Sequence, residues 1–116
     1  MNVIEEKINN SNVLFIKDER IDAHNSVQLK DHILQMIERG DKHIIVQLEQ
    51  VRFIDSSGLG ALLSGFKHAE AKSGTLSLSN VQNQVLSMFE LTRLNRVFEI
   101  YMDLDEAFGV GTKGEI

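Results

Sequence analysis

The stretch VRFIDSSGLGALLSG, residues 51–65, sets one carboxylate, two adjacent hydroxyls and two glycines between an apolar run and a leucine-rich segment. Its form is that of a strand ending, a tight turn and a helix beginning, so Asp55, Ser56 and Ser57 stand at a predicted helix N-terminus. Two chemistries suit that place. In the first, Asp55 or a serine oxygen accepts hydrogen bonds from the first free amides of the helix, and Gly58 and Gly60 supply unusual backbone angles. In the second, a hydroxyl accepts phosphate: the glycines leave room for a kinase to approach, and the added group of about −1.5 to −2 charges is tolerated by the positive helix end. The residues alone leave both open.

Other chemistries fail on spacing. A dinucleotide-binding G-x-G-x-x-G begun at Gly58 and Gly60 needs glycine at the position held by Leu63. GALLSGFK spaces Gly60 and Gly65 as a phosphate loop does, but Phe66 stands where the lysine belongs and Lys67 comes one residue late. Neither Ser56 nor Ser57 is framed by G-x-S-x-G. His24, His32, His43 and His68 never fall at the spacing that places two imidazoles on one helix face. The carboxylate pairs Glu5 with Glu6, Asp18 with Glu19, and Asp103 with Asp105 lie in polar flanks and read as solvated charge, and Met36 and Met88 read as core filler. Without cysteine there is no disulfide, thiolate ligand or thiol nucleophile. The expectation is a chain that is not an enzyme and uses no cofactor and no metal.

Charge and composition narrow the partners. A net charge of −5 opposes a phosphate backbone, and six Phe and one Tyr with no Trp offer no stacking platform, so no direct nucleic-acid binding is expected. No apolar run approaches the ~20 residues that span a bilayer, and no basic segment leads into an apolar one at the N-terminus. The expected compartment is the cytoplasm.

The elements that must position the turn are legible in outline. A chain of 116 residues fits one domain, assigned to residues 3–108, with a flexible, glycine-rich tail over 109–116. Residues 3–8 and 13–17 read as a hairpin turning at NNSN. Asp22 as N-cap opens a helix over 23–39, with Val27, Leu29, Ile33, Leu34, Met36 and Ile37 as its apolar face and Gly40 as its stop. HIIVQLEQ (43–50) is apolar enough for a central strand covered on both faces. Leu59, Leu62, Leu63, Phe66 and Ala69 form the buried stripe of the next helix, stopped near Gly74. TLSLS alternates like a strand, Val85, Leu86, Phe89 and Leu91 suggest a helix to about Arg93, VFEIY (97–101) reads as the last strand and LDEAF (104–108) as a helical turn. Strands alternating with helices favour an α/β sheet, made mixed by the hairpin.

Residues 51–81, VRFIDSSGLGALLSGFKHAEAKSGTLSLSNV, resemble the bacterial anti-sigma factor antagonists, single-domain members of the STAS group, in the order of apolar strand, DSSGLG turn, helix with an FKHA segment, glycine and strand. RIDAHNSVQLKDHI and MFELTRLNRVFEIY extend the resemblance more weakly over nearly the whole chain, with Glu19 standing where the family usually has a glycine. The resemblance implies a STAS-like α/β fold, a mixed and mostly parallel sheet of about five strands with about four helices packed against it. It implies a partner switch. The unphosphorylated antagonist binds an anti-sigma factor that is also a serine kinase and so frees the sigma factor; phosphorylation ends the binding and a PP2C-type phosphatase restores it. By position Ser56 is the phosphate acceptor. Asp22 and the turn residues Asp55, Ser57, Gly58, Leu59 and Gly60 are the implied partner contacts, with Ser57 as the more local, helix-capping hydroxyl. An alternative within the same group is a non-catalytic subunit of a lipid-transport ATPase or of a stressosome-like scaffold.

Overall fold

The computed structural model describes residues 1–109. The elements in chain order are β1 (Val3–Ile8), β2 (Ser11–Ile16), β3 (Arg20–Ile21), α1 (Ser26–Glu38), β4 (His43–Gln47), β5 (Phe53–Ile54), α2 (Ser56–Ala71), β6 (Thr75–Ser79), α3 (Asn83–Leu91), a 3₁₀ turn (Leu94–Arg96), β7 (Ile100–Tyr101) and α4 (Leu104–Phe108). The tail expected over 109–116 lies, beyond Gly109, outside the described residues.

The opening hairpin turns on two residues, Asn9 and Asn10, at φ 52 and 66. Asparagine tolerates this left-handed backbone, and paired left-handed residues match the twist of the flanking strands. The hairpin makes β1 the antiparallel edge of a five-stranded sheet ordered β1-β2-β4-β6-β7, in which every other pairing is parallel. β4 is central, as its composition predicts, although it ends at Gln47. The crossovers from β2 to β4, β4 to β6 and β6 to β7 all step the same way, so right-handed connections place α1, α2 and α3 on one face. The core fills that face: Leu14, Ile16, Ile44, Val46, Leu76 and Leu78 from the strands meet Leu29, Ile33, Met36, Leu62, Val85 and Phe89 from the helices. Each such side chain contributes about 1.5–3 kcal/mol when fully buried.

Several boundaries differ from the sequence reading. α1 begins at Ser26, and Val27 is 65% exposed instead of joining the apolar face. α2 is followed by Ser73, which takes the left-handed conformation at φ 63; Gly74 is required for space, because a Cβ there would lie 2.5 Å from the Lys42 carbonyl oxygen. Leu91 at the end of α3 is 79% exposed. The VFEIY strand shortens to Ile100–Tyr101, because Phe98 turns inward to stack edge-on against Phe66 and Phe89, with centroids 5.3 and 5.7 Å away. None of the three acidic pairs is simply solvated: Asp18 accepts from the Asn2 amide at 2.7 Å. Glu5 accepts hydrogen bonds from His32 and Arg39 and ties β1 to α1, and Asp103 caps α4 by accepting from the Glu106 amide at 2.9 Å.

Candidate functional site: two aspartate turns on a short parallel sheet

β3 and β5 pair in parallel through Arg20 with Phe53 and Ile21 with Ile54, apart from the main sheet. The pairing brings the turn after Ile21 against the turn after Ile54. The Asp55 amide donates to the Ile21 carbonyl at 3.2 Å. Asp22 and the DSSGLG residues, far apart in sequence, therefore form one surface.

Asp55 is the N-cap of α2, with an extended backbone at φ −108. Its Oδ1 accepts from the Ser57 amide at 2.9 Å, the Gly58 amide at 3.1 Å and the Ser57 hydroxyl at 2.6 Å. The Ser57 hydroxyl, followed by the amides of Gly58, Ser57 and Ala23, holds the carboxyl below its ordinary range against an opposing desolvation. The expected capping role of Ser57 is thereby corrected. The carboxylate caps the helix, and Ser57, half-buried, donates its hydroxyl to the cap. Ser56 is exposed at the first position of α2, and its Oγ has no hydrogen-bond partner among the described residues.

The glycines do not work as the sequence suggested, since neither Gly58 nor Gly60 has a positive φ. Gly58 is required for closeness: a Cβ would stand 2.7 Å from Ile54 Cγ1, 2.8 Å from Ile21 Cγ2 and 3.0 Å from the Ile21 carbonyl. Gly58 and Leu59 are both buried, so they shape the turn from beneath. Gly60 is exposed, and a Cβ there would meet nothing within 4 Å.

Asp22 is not the cap of α1. That helix follows Asn25, which makes no side-chain cap bond. Asp22 instead organises a local turn. Its Oδ1 accepts from the His24 amide at 3.0 Å, its carbonyl accepts from the Asn25 and Ser26 amides, and its own amide donates to Asn25 Oδ1 at 2.9 Å. The His24 amide is the main reason its carboxyl lies below the ordinary range, with smaller help from Arg20. The sequence reading missed Arg20 and Phe53. The Arg20 guanidinium lies 4.2 Å from the centre of the Phe53 ring, which is 41% exposed. These two become neighbours only through the β3–β5 pairing, which strands of two residues do not announce.

Two shallow grooves lie beside these turns. One of 610 Å³ is lined by Asp18, Glu19, Arg20, Asp22, His24 and Asn25, and one of 250 Å³ runs between the starts of α1 and α2 past Val27, Lys30, Ser57, Gly60 and Ser64. Among the described residues no group of three His, Cys, Asp or Glu side chains could hold a metal ion, and no helix is long and apolar enough to cross a membrane. The surface presents the Ser56 hydroxyl to solvent.

Known proteins are similar to this chain in sequence and fold. The chain is 28% identical to the anti-sigma-B factor antagonist of Bacillus subtilis over 80 residues, covering 69% of this chain and 72% of the relative. It is 28% identical to the anti-sigma F factor antagonist of Paenibacillus polymyxa over 103 residues, covering 87% and 88%. The Bacillus cell fate determinant SpoIIAA in its phosphorylated form superposes with a TM-score of 0.71 at 24% identity, over 93% of this chain and 97% of the other. Residues 3–107 match the STAS domain family, and the chain belongs to it.

Proposed function

We propose that the chain is an anti-sigma factor antagonist in a phosphorylation-controlled partner switch. Its unphosphorylated form binds an anti-sigma factor that is also an ATP-dependent serine kinase, and phosphate on Ser56 ends that binding until a PP2C-type phosphatase removes it. The observation that carries the reading is the exposed, unbonded Ser56 hydroxyl at the start of α2. Support comes from relatives that bear the antagonist name and from SpoIIAA, for which a phosphorylated form is known.

The chemistry needs little from this chain. The Ser56 Oγ forms a bond to the γ-phosphorus of ATP, the bond to the ADP oxygen breaks, and the hydroxyl proton passes to a base on the kinase. The product adds about −1.5 to −2 charges beside the ionised Asp55. A partner surface that excludes water from this turn is then met by charge it cannot pair. The positive end of α2 offsets the phosphate within the fold by about 0.3–1 kcal/mol, so binding is switched while the domain stays folded. The test is calorimetric titration of the kinase with the unmodified and the enzymatically phosphorylated protein, the site being mapped by mass spectrometry. A several-hundred-fold loss of affinity, equivalent to ~3–4 kcal/mol, is expected. Equal affinities would end the reading.

A further inference from the structure

Two serines stand side by side at the start of α2, and only their surroundings distinguish them. We propose that Asp55 is the residue that selects between them, withholding Ser57 from phosphoryl transfer and leaving Ser56 as the acceptor. The inference rests on the partner-switch reading and adds to it the rule by which the acceptor is chosen.

The geometry is asymmetric. Ser57 Oγ lies 2.6 Å from Asp55 Oδ1, the same oxygen that holds the Ser57 and Gly58 amides, so the rotamer of Ser57 and the direction of its proton are fixed by a group that is itself fixed. An acceptor hydroxyl must turn a lone pair toward the γ-phosphorus in line with the leaving ADP oxygen and pass its proton to the base of the kinase. Ser57 cannot do so without breaking its bond to Asp55, and the carboxylate would then face the incoming triphosphate as a like charge. Ser56 has no such bond to break: it is exposed, and its Oγ has no hydrogen-bond partner among the described residues. A carboxylate bonded to a hydroxyl can also act as its base, which would make Ser57 the more reactive serine. Here Asp55 Oδ1 already accepts from the Ser57 and Gly58 amides as well as from the Ser57 hydroxyl, and these bonds favour the ionised carboxylate, so the proton stays on Ser57.

The two effects are separated by which serine is labelled. The wild type, Ser56→Ala, Ser56→Ala with Asp55→Asn, and Ser56→Ala with Asp55→Ala are each incubated with ATP and the anti-sigma factor kinase that labels the wild type. Phosphate is then mapped by tandem mass spectrometry, and circular dichroism and kinase titration are recorded for every variant. Asparagine is as good an N-cap as aspartate, so the Asn variant keeps the helix start while removing the charge. Ser56→Ala alone should carry no phosphate. Adding Asp55→Ala should open Ser57 to labelling, about tenfold or more above the background of the single variant, and Asp55→Asn, whose side-chain oxygen can still accept from the Ser57 hydroxyl, should open it less. Labelling of Ser57 in Ser56→Ala alone would show that Asp55 does not withhold it. Unlabelled Ser57 in folded, kinase-binding double variants would also overturn the proposal. A wild type labelled on Ser56 in the same experiment separates either failure from failure of the partner-switch reading. A readout that needs no kinase is the Ser57 χ1 rotamer from NMR couplings. It should be single in the wild type and averaged in Asp55→Ala, and an averaged wild-type rotamer would sink the idea.

Discussion

Arg20-Ile21-Asp22 and Phe53-Ile54-Asp55 are two copies of one local device, set side by side by the β3–β5 pairing. Each ends a two-residue strand in an aspartate whose Oδ1 accepts the amide two residues on, His24 at 3.0 Å in one and Ser57 at 2.9 Å in the other. They part at the next residue. The Gly58 amide stays on the Asp55 carboxylate and a helix begins at once, whereas the Asn25 amide turns to the Asp22 carbonyl and the helix waits until Ser26. Gly58 lacks the Cβ that would strike Ile21 and Ile54, so the chain can close down on them. Asn25 spends its side chain on the Asp22 amide and the Arg20 carbonyl and holds the chain open. One aspartate therefore starts a helix with a hydroxyl on its rim, and its twin makes a loop beside it.

The contrast breaks most sharply at Gly58. Gly58→Ala places a methyl 3.0 Å from a backbone oxygen that cannot step aside, and a loss of roughly 1–3 kcal/mol is expected in urea denaturation. Gly60→Ala, two residues on, meets open space and should gain up to about 1 kcal/mol from helix propensity. Equal effects at the two glycines would mean that closeness is not what Gly58 provides. Next in size is Asp55→Ala, which removes the cap and should lose about 0.5–2 kcal/mol. Asp22→Ala should lose less, because its amide partner lies in a loop and no helix depends on it.

A pH series sharpens the same pairing. Both carboxyls lie below the ordinary 3.8, Asp55 chiefly through the Ser57 hydroxyl and Asp22 chiefly through the His24 amide. The stabilisation from each is complete above that ordinary value and is lost as pH falls from there through the lower folded value. Asp55→Asn should flatten the fall of the urea midpoint between about pH 4 and pH 2, and an unchanged slope would contradict the bonding described. The smallest effect belongs to the stack that braces the two strands. Arg20→Ala should lose about 0.5–1 kcal/mol, and Arg20→Lys should recover only part of it.

Much of this was legible in the chain. The hairpin, the order of strands and helices, the central β4 and the stripe of α2 follow from period and turn chemistry, since each is set by neighbours within a few residues. What escaped was set by partners distant in sequence. Asp22 has the side chain of a cap, yet Asn25 and the strand beside it decide that the helix starts later. Gly58 was read as a conformational glycine because sequence carries no record of Ile21 lying against it. VFEIY has strand composition throughout, but the pull of Phe98 into the core outweighs it for the first residues. At the site, the residues of the turn were found from their types, whereas the division of labour between two identical serines needed the position of one carboxylate oxygen.

The β3–β5 sheet is held by two residue pairs, while the main sheet runs through up to six per pairing. A unit so small owns few backbone bonds, and local opening is easier where those bonds are few, even though Ile21 and Ile54 anchor it in the core. Amide hydrogen exchange should therefore be faster at Asp55, whose amide bridges the two turns, than at Ile45 and Val46 in β4. The surface that meets a partner would then be present for only part of the time in the free protein. Affinity would be tuned by how often this small sheet is closed, and a partner that clamps it would slow exchange at residues it never touches.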